Sequence, residues 1–197
     1  MNSNVPSTSW PFKLDNVENW AYWDNLFTPE ECKKIISAGN KVKPKLATVD
    51  LDMVKKTSVR NSKVAWLYPE NDLHWVYQKV TDVAVNLNAQ YFGFDLFGMS
   101  EGFQFTKYEA GGNFYGPHID KMHKSLVRKL SITIQLSDPN DYKGGDLKLH
   151  YSNQPIIAPK SQGKLIAFPS YVLHEVTPVT KGTRYSLVCW ITGKPFK

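Results

Sequence analysis

Beyond about residue 100 the hydrophobic pattern of this chain changes period, and that change limits what it can fold into. Leu130, Ile132, Ile134 and Leu136 alternate with Ser131, Thr133 and Gln135, and Tyr185, Leu187, Cys189 and Ile191 alternate with Arg184, Ser186, Val188 and Trp190. Successive side chains of a strand point to opposite faces, so a period of two predicts half-buried β-strands. Shorter candidates lie at Phe103–Tyr108, Asp146–Tyr151, Lys164–Phe168 and Val172–Thr177. Turn signals separate them at Ala110-Gly111-Gly112-Asn113, Asp138-Pro139-Asn140-Asp141, Lys143-Gly144-Gly145-Asp146 and Lys181-Gly182. Many short strands at this spacing predict an antiparallel sandwich or barrel.

Helices belong to the first half. Thr28-Pro29-Glu30-Glu31 has an N-cap, a proline at the first helical position and the glutamate of a capping box. Phe27 and Cys32 fall at the staple positions, and Gly39 reads as the stop. A second helix is expected from near Asp72, because Val76, Val80, Val83 and Leu87 recur at helical spacing. The expected class is therefore α+β, mainly β: a jelly roll with supporting N-terminal helices. One domain is expected over 1–197, with helical support and early strands in 1–100 and the β core in 101–194.

Composition excludes several classes. With 197 residues, 42% of them hydrophobic, the chain can build a core, and its 21% charged content is not that of a disordered chain. Its purely apolar runs are far shorter than the roughly 20 residues of a membrane span, and residues 1–15 lack the apolar segment of a secretory signal. Cys32 and Cys189 form no disulfide framework and fit a reducing compartment, so a cytoplasmic location is expected. The formal charge of +6 is spread over short clusters such as Lys41, Lys43, Lys45 and Lys121, Lys124, Arg128, Lys129. Without zinc-finger spacing or aromatic RNA-binding signatures these read as solvated surface, so neither a nucleic-acid nor a membrane partner is expected. No heptad or interface stripe indicates an oligomeric state.

The chemistry concentrates around His118 and His174. His118-Ile119-Asp120 sets two ligand-type side chains at i and i+2, on one face if the segment is a strand. His174 sits in another candidate strand, within reach across a small barrel. Two imidazoles and a carboxylate on one face of an octahedron make the facial triad of non-haem Fe(II) oxygenases, with three positions left open. Alone, a His-x-Asp triplet is more readily a polar surface turn. Arg184 opens the last strand with the parity of Ser186 and Trp190; turned inward it needs an anionic partner, either a carboxylate ligand or a structural acid. Tyr108 is placed to add a hydroxyl donor to the same carboxylate.

Tyr108-x9-His118-x-Asp120, His174-Glu175-Val176-Thr177-Pro178-Val179 and Gly182-Thr183-Arg184 together resemble the 2-oxoglutarate and Fe(II)-dependent dioxygenases. Within them the resemblance is to the prolyl 4-hydroxylase branch, particularly the bacterial and phage PKHD-type hydroxylases. It runs from about Asn25 to Gly193 and includes the segments 130–138 and Gly144-Gly145-Asp146-Leu147. Residues 59–66, from Val59 to Trp66, are similar to a segment of the hypoxia-sensing prolyl hydroxylases. The resemblance implies a double-stranded β-helix in which His118, Asp120 and His174 hold Fe(II). It implies that Arg184, with Tyr108, binds the distal carboxylate of 2-oxoglutarate. It further implies O2 as cosubstrate, ascorbate as an accessory reductant, release of succinate and CO2, and hydroxylation of a C–H bond, with peptidyl proline the first expectation. Trp190 matches a tryptophan near the substrate in related enzymes, and a core aromatic is an equal reading. Arg60 and Trp66 are candidates for a substrate loop, with a structural role an equal reading.

His123 reads as peripheral to the triad or exposed, His150 as solvent-facing, and His74 as the first turn of a helix without a partner. Gly144-Gly145 reads as turn geometry, since no helix N-terminus follows it. Two alternatives remain: a cupin-like metal enzyme that does not use 2-oxoglutarate, and a non-catalytic jelly-roll binding protein. Substrate recognition, by a peptide or protein or by a small molecule, is expected from loops at 41–62, 113–116 and 121–127.

Overall fold

The computed structural model describes residues 17–47, 58–120, 122–123 and 126–195. In chain order its first elements are β1 (Ala21–Trp23), α1 (Pro29–Lys41), β2 (Lys45–Leu46), β3 (Arg60–Asn61), β4 (Lys63–Leu67) and α2 (His74–Leu87). Then come β5 (Leu96–Met99), β6 (Phe103–Glu109), β7 (Asn113–His118), β8 (Met122–His123) and β9 (Leu126–Gln135). The last are β10 (Tyr142–Gly144), β11 (Leu147–His150), β12 (Ile156–Ile157), β13 (Leu165–Pro169) and β14 (Leu173–Gly193).

Two antiparallel sheets face each other. The larger runs β1-β13-β9-β14-β6-β4-β2, with β5 paired to the far end of β14. The smaller gathers β12, β11, β7, β10 and β3 around the first half of β14. Both sheets thus share β14. Its residues His174 and Val176 pair with β11 and β7, and 183–188 pair with β6. Lys181-Gly182, expected as a turn between two strands, is instead a bend inside one strand. Lys181 and Gly182 stay paired to Lys143 and Tyr142 of β10. Gly182 makes the bend possible at φ 71°, where a Cβ would run into the Asp141 carbonyl.

The helices pack on the outer face of the larger sheet. Thr28 accepts from the Glu31 N–H at 3.2 Å, and the Glu31 carboxylate accepts from the Thr28 N–H at 2.9 Å, which closes the capping box. Gly39 does not end the helix; α1 continues to Lys41, and Gly39 is buried where a Cβ would collide with the Phe105 ring. The missing side chain lets the helix lie close on β6. A turn of 3-10 helix at Asn71–Leu73 leads into α2, which buries Val76, Val80, Val83 and Leu87 against Leu130, Ile132, Ile134, Leu187 and Cys189. Both cysteines are free and buried in this layer.

Inside the roll the character of the wall changes. Leu147, Leu149, Ile166, Phe168, Val172, Val176 and Val179 form a second apolar cluster with Tyr108. The polar alternates of the central strands, Ser131, Thr133, Gln135, Arg184 and Ser186, are buried as well. Both faces of β9 and β14 are therefore covered, one by helices and the other by an enclosed polar interior. Among the described residues no helix is long and apolar enough to cross a membrane.

The expected loop at 113–116 is part of β7, held between β14 and β3. Arg60 and Trp66, expected on a loop, lie in β3 and β4. Of the two other expected loops, 48–57, Lys121, Lys124 and Ser125 lie outside the described residues, and the flanking segments form β2, β8 and the start of β9.

Candidate metal and carboxylate site

Antiparallel pairing sets His118, at the end of β7, directly opposite His174, near the start of β14. Asp120 follows β7 by two residues, and its N–H donates to the Ser170 carbonyl at 2.9 Å. Ligand atoms of the three side chains lie within 4.8 Å of one another. Asp120 stands between the imidazoles, with Oδ1 3.8 Å from His118 Nε2 and Oδ2 3.4 Å from His174 Nε2.

The surroundings fix which nitrogen each imidazole offers. His118 Nδ1 lies 2.8 Å from the Gly116 carbonyl and His174 Nδ1 2.9 Å from the Val172 carbonyl. A carbonyl only accepts, so each Nδ1 carries a proton, and in the neutral ring each Nε2 lone pair is free to face Asp120. Ser131 donates to Asp120 Oδ2 at 2.9 Å, and Ser131 Oγ also lies 2.9 Å from Ser170 Oγ. The Trp190 indole N–H is buried and turned toward Asp120 without completing a well-formed hydrogen bond.

Electrostatics reinforces the set. Burial, with His174 close by, pushes the His118 imidazole down to about 4, so it is neutral at pH 7. Burial alone would raise the Asp120 carboxyl, but His174 and His118 outweigh it and hold the group far below the usual carboxylate range. For His174, burial works against the charged form and the Asp120 carboxylate overrides it, raising the imidazole above its ordinary value. The result is an ionised carboxylate between two nitrogen ligands, a donor set suited to a borderline divalent cation such as Fe(II).

Arg184 stands farther along the same wall. It is 1% exposed. Nη2 donates to Gln135 Oε1 at 3.0 Å, Nη1 reaches Ser186 Oγ at 3.4 Å, and Nε has no partner. Among the described residues no carboxylate pairs with it. Tyr108, directly opposite in register, puts its ring 5.3 Å from the guanidinium carbon. Ser131, which holds Asp120, and Gln135, which holds Arg184, are four residues apart on one face of β9, about 13 Å along the strand.

The three remaining candidates line one side of the triad. Arg60 is buried and donates to Ser62 Oγ and Gln104 Oε1, both at 2.9 Å. Its guanidinium lies 4.3 Å from the Tyr115 ring, which stacks on His118 at 3.5 Å. Trp190 is buried and tilted against the half-exposed Trp66 at 6.2 Å. Arg128 lies 3.7 Å over the Trp190 ring and is bidentate to Glu101 at 2.6 and 2.7 Å. Arg128, read as part of a solvated cluster, is therefore a buried ion-pair partner. His150 shares Glu175 with Lys148 on the other face of β11, at 3.3 Å. His74 begins α2, and His123 lies in β8.

Residues 103–192, the segment that contains the triad and Arg184, match the 2OG-Fe(II) oxygenase superfamily. Over 91 residues the chain is 42% identical to a PKHD-type hydroxylase of Prochlorococcus marinus, covering 46% of this chain and 41% of the relative. The chain thus spans about two fifths of that relative's length. The fold of this segment and its supporting helices is similar to that of a Pseudomonas putida prolyl-4-hydroxylase, with TM-score 0.70 and 19% identity over 90% of this chain and 94% of that one. A Trichoplax adhaerens prolyl hydroxylase, solved with a hypoxia inducible factor peptide fragment, superposes with TM-score 0.71 and 18% identity over 89% and 84% of the two chains.

Sequence spacing led to the triad and Arg184 but passed over Ser131, Gln135, Ser170 and Tyr115. A signal for two of them existed. Ser131 and Gln135 are uncharged polar alternates of a strand whose other face is purely aliphatic, the pattern of a strand buried on both sides. Ser170 and Tyr115 carried no signal, since their roles arise only from tertiary contact.

Proposed function

We propose that this protein is an Fe(II)- and 2-oxoglutarate-dependent hydroxylase acting on an unactivated C–H bond, with a prolyl residue of a peptide as the substrate class. One observation carries the reading: a buried arginine without a carboxylate partner shares the inner wall with a His-Asp-His cluster. A cupin-like metal protein has no use for that arginine, whereas a dicarboxylate chelating the metal at one end satisfies it at the other.

His118, Asp120 and His174 would hold the iron, and the residues present fit it: two Nε2 lone pairs and an ionised carboxylate converge. Bound iron, with 2-oxoglutarate and O2, supplies the oxidising power for hydroxylation, and ascorbate is the reductant expected to keep it ferrous. The chain supplies the rest. Ser131 holds Asp120 in one rotamer, and the Gly116 and Val172 carbonyls fix the imidazole tautomers. Gln135 and Ser186 aim Arg184 along the wall, so the distal carboxylate of the cosubstrate is gripped before O2 is used. The apolar cluster of Leu149, Phe168, Val172 and Val176 excludes water beside the triad. Trp66, half-exposed and tilted against Trp190, offers an aromatic face suited to a pyrrolidine ring.

The test is an anaerobic titration of 2-oxoglutarate into the Fe(II)-loaded protein, followed by the metal-to-ligand charge-transfer band in the visible. A saturable band is expected. Iron binding without a band would leave a metal protein that does not use this cosubstrate. Incubation with proline-containing peptides in air, read by a mass gain of one oxygen, then tests the substrate class.

A further inference from the structure

Only five buried side-chain polar atoms among the described residues lack a hydrogen-bond partner: Thr106 Oγ1, Tyr142 OH, His150 Nε2, Arg184 Nε and Trp190 Nε1. The last faces Asp120, and His150 faces Glu175. The other three belong to one place. A Cβ on Gly145 would meet Arg184 Cδ at 2.9 Å and Tyr142 Cε2 at 3.4 Å, so the arginine stem and the Tyr142 ring crowd against the same bare Cα. Cε2 adjoins the carbon that bears the hydroxyl, so the polar end of Tyr142 is the end against Gly145, where the stem of Arg184 also packs. Thr106 sits opposite Ser186 in register, and Ser186 is already a partner of Arg184.

Burying a hydroxyl without a partner costs about 1–3 kcal/mol, and native interiors seldom leave several together. Tyr142 is 2% exposed, within the roll, and Gly145 holds φ 62° to leave it room. Two donors, the Tyr142 hydroxyl and Arg184 Nε–H, are thus left without an acceptor on side chains that pack against the same bare Cα. A carboxylate oxygen placed there accepts from both.

We infer that the Tyr142 hydroxyl is a specificity-determining contact, which with Arg184 Nε reads the distal carboxylate of the 2-oxo acid cosubstrate. This rests on the oxygenase reading above and adds a residue from a turn-flanking strand to it. Tyr142 then selects a dicarboxylic 2-oxo acid over a monocarboxylic one that chelates the metal equally well. Lys160, which bonds the Gly144 carbonyl at 2.7 Å and Asp146 at 2.6 Å, lies 5.1 Å from the Tyr142 ring and anchors this corner.

The test compares wild type with Tyr142→Phe as Fe(II)-loaded protein without O2, titrating 2-oxoglutarate and pyruvate by calorimetry. Pyruvate carries the same 2-oxo carboxylate and lacks the distal one. The expected result is a 2-oxoglutarate dissociation constant raised roughly 10- to 100-fold, as for a lost hydrogen bond to a charged group, with that of pyruvate unchanged. The thermal midpoint of the ligand-free variant should be equal or higher, because an orphaned hydroxyl has been removed. Unchanged affinity for 2-oxoglutarate, equal loss for both acids, or a destabilised ligand-free variant would each overturn the inference. A wild type that binds neither acid would instead overturn the oxygenase reading on which it rests.

Discussion

Arg184 donates its Nη2–H to the neutral oxygen of Gln135 at 3.0 Å, deep in the roll, where a buried cation ordinarily meets an acid. Neutral acceptors orient a guanidinium without discharging it, so the site keeps a full positive charge for a guest. Replacing Arg184 with alanine should therefore weaken 2-oxoglutarate binding by on the order of a hundredfold or more, given two or more charge-assisted hydrogen bonds. Iron affinity should change little, since no metal-ligand contact passes through Arg184. Parallel titrations of metal and cosubstrate check this, and equal losses of both would remove the residue from the carboxylate site.

Asp120 gives the metal reading its sharpest mutational test through a residue that is not itself a ligand. Ser131 donates to Asp120 Oδ2 and holds it between the imidazoles. Loss of such a supporting hydrogen bond typically lowers metal affinity about 10- to 100-fold. Ser131→Ala is expected to fall in that range, whereas His174→Ala should abolish stoichiometric iron binding with the fold retained. Metal content after dialysis against graded chelator separates the two. A Ser131→Ala protein that holds iron like wild type would show that Asp120 needs no such support.

The acid side of the stability profile should carry a signature of His118. Its folded value is about 4 against an ordinary 6.5, because burial and the neighbouring His174 oppose the charged form. Between those values the unfolded chain binds a proton at this site and the folded chain does not. Stability of the metal-free protein should therefore fall as pH drops from about 6.5 to about 4, by up to about 3 kcal/mol from this group. His174 is raised, so its contribution is fully present below 6.5 and is lost as pH rises through its folded value. Subtracting the profile of His118→Asn isolates the first effect. Urea unfolding at pH 7.5 and pH 5 reads it, and identical slopes for wild type and variant would rule it out.

Much of this arrangement was legible in the sequence because it depends on local spacing. Thr28 and Glu31 are three residues apart, and His118 and Asp120 are two residues apart where β7 ends. Parity alone turns Arg184 inward. What was not legible depends on chain passing chain. Gly39 looks like a helix stop, yet its use is to admit the Phe105 ring from β6. Lys181-Gly182 looks like a turn, yet continued pairing to β10, β7 and β6 carries one strand through the bend. Tyr142 stands between two turn signals, and only the bare Cα of Gly145 lets its ring and the stem of Arg184 pack against one point. Arg128 sits in a run of basic residues, and nothing local announces that Glu101 and the Trp190 face enclose it.

That enclosure separates stability from function. Arg128 and Glu101 form a bidentate pair with side chains only 10% and 11% exposed. Glu101→Gln leaves the guanidinium without its counter-charge and should cost about 3–5 kcal/mol, the usual penalty for breaking a buried pair from one side. Replacing both, as Arg128→Met with Glu101→Leu, removes the desolvation cost along with the attraction and should return stability to near wild type. Function should not return with it. The Arg128 guanidinium covers one face of Trp190 at 3.7 Å, and the Trp190 indole N–H is turned toward Asp120. A flexible methionine in that position holds the indole less firmly, and the error is passed on beside the metal. The double variant should therefore unfold at close to the wild-type urea midpoint while hydroxylation falls about tenfold or more, since small misplacements at a reacting centre are amplified. Recovery of both together would make the pair a packing device with no bearing on the site.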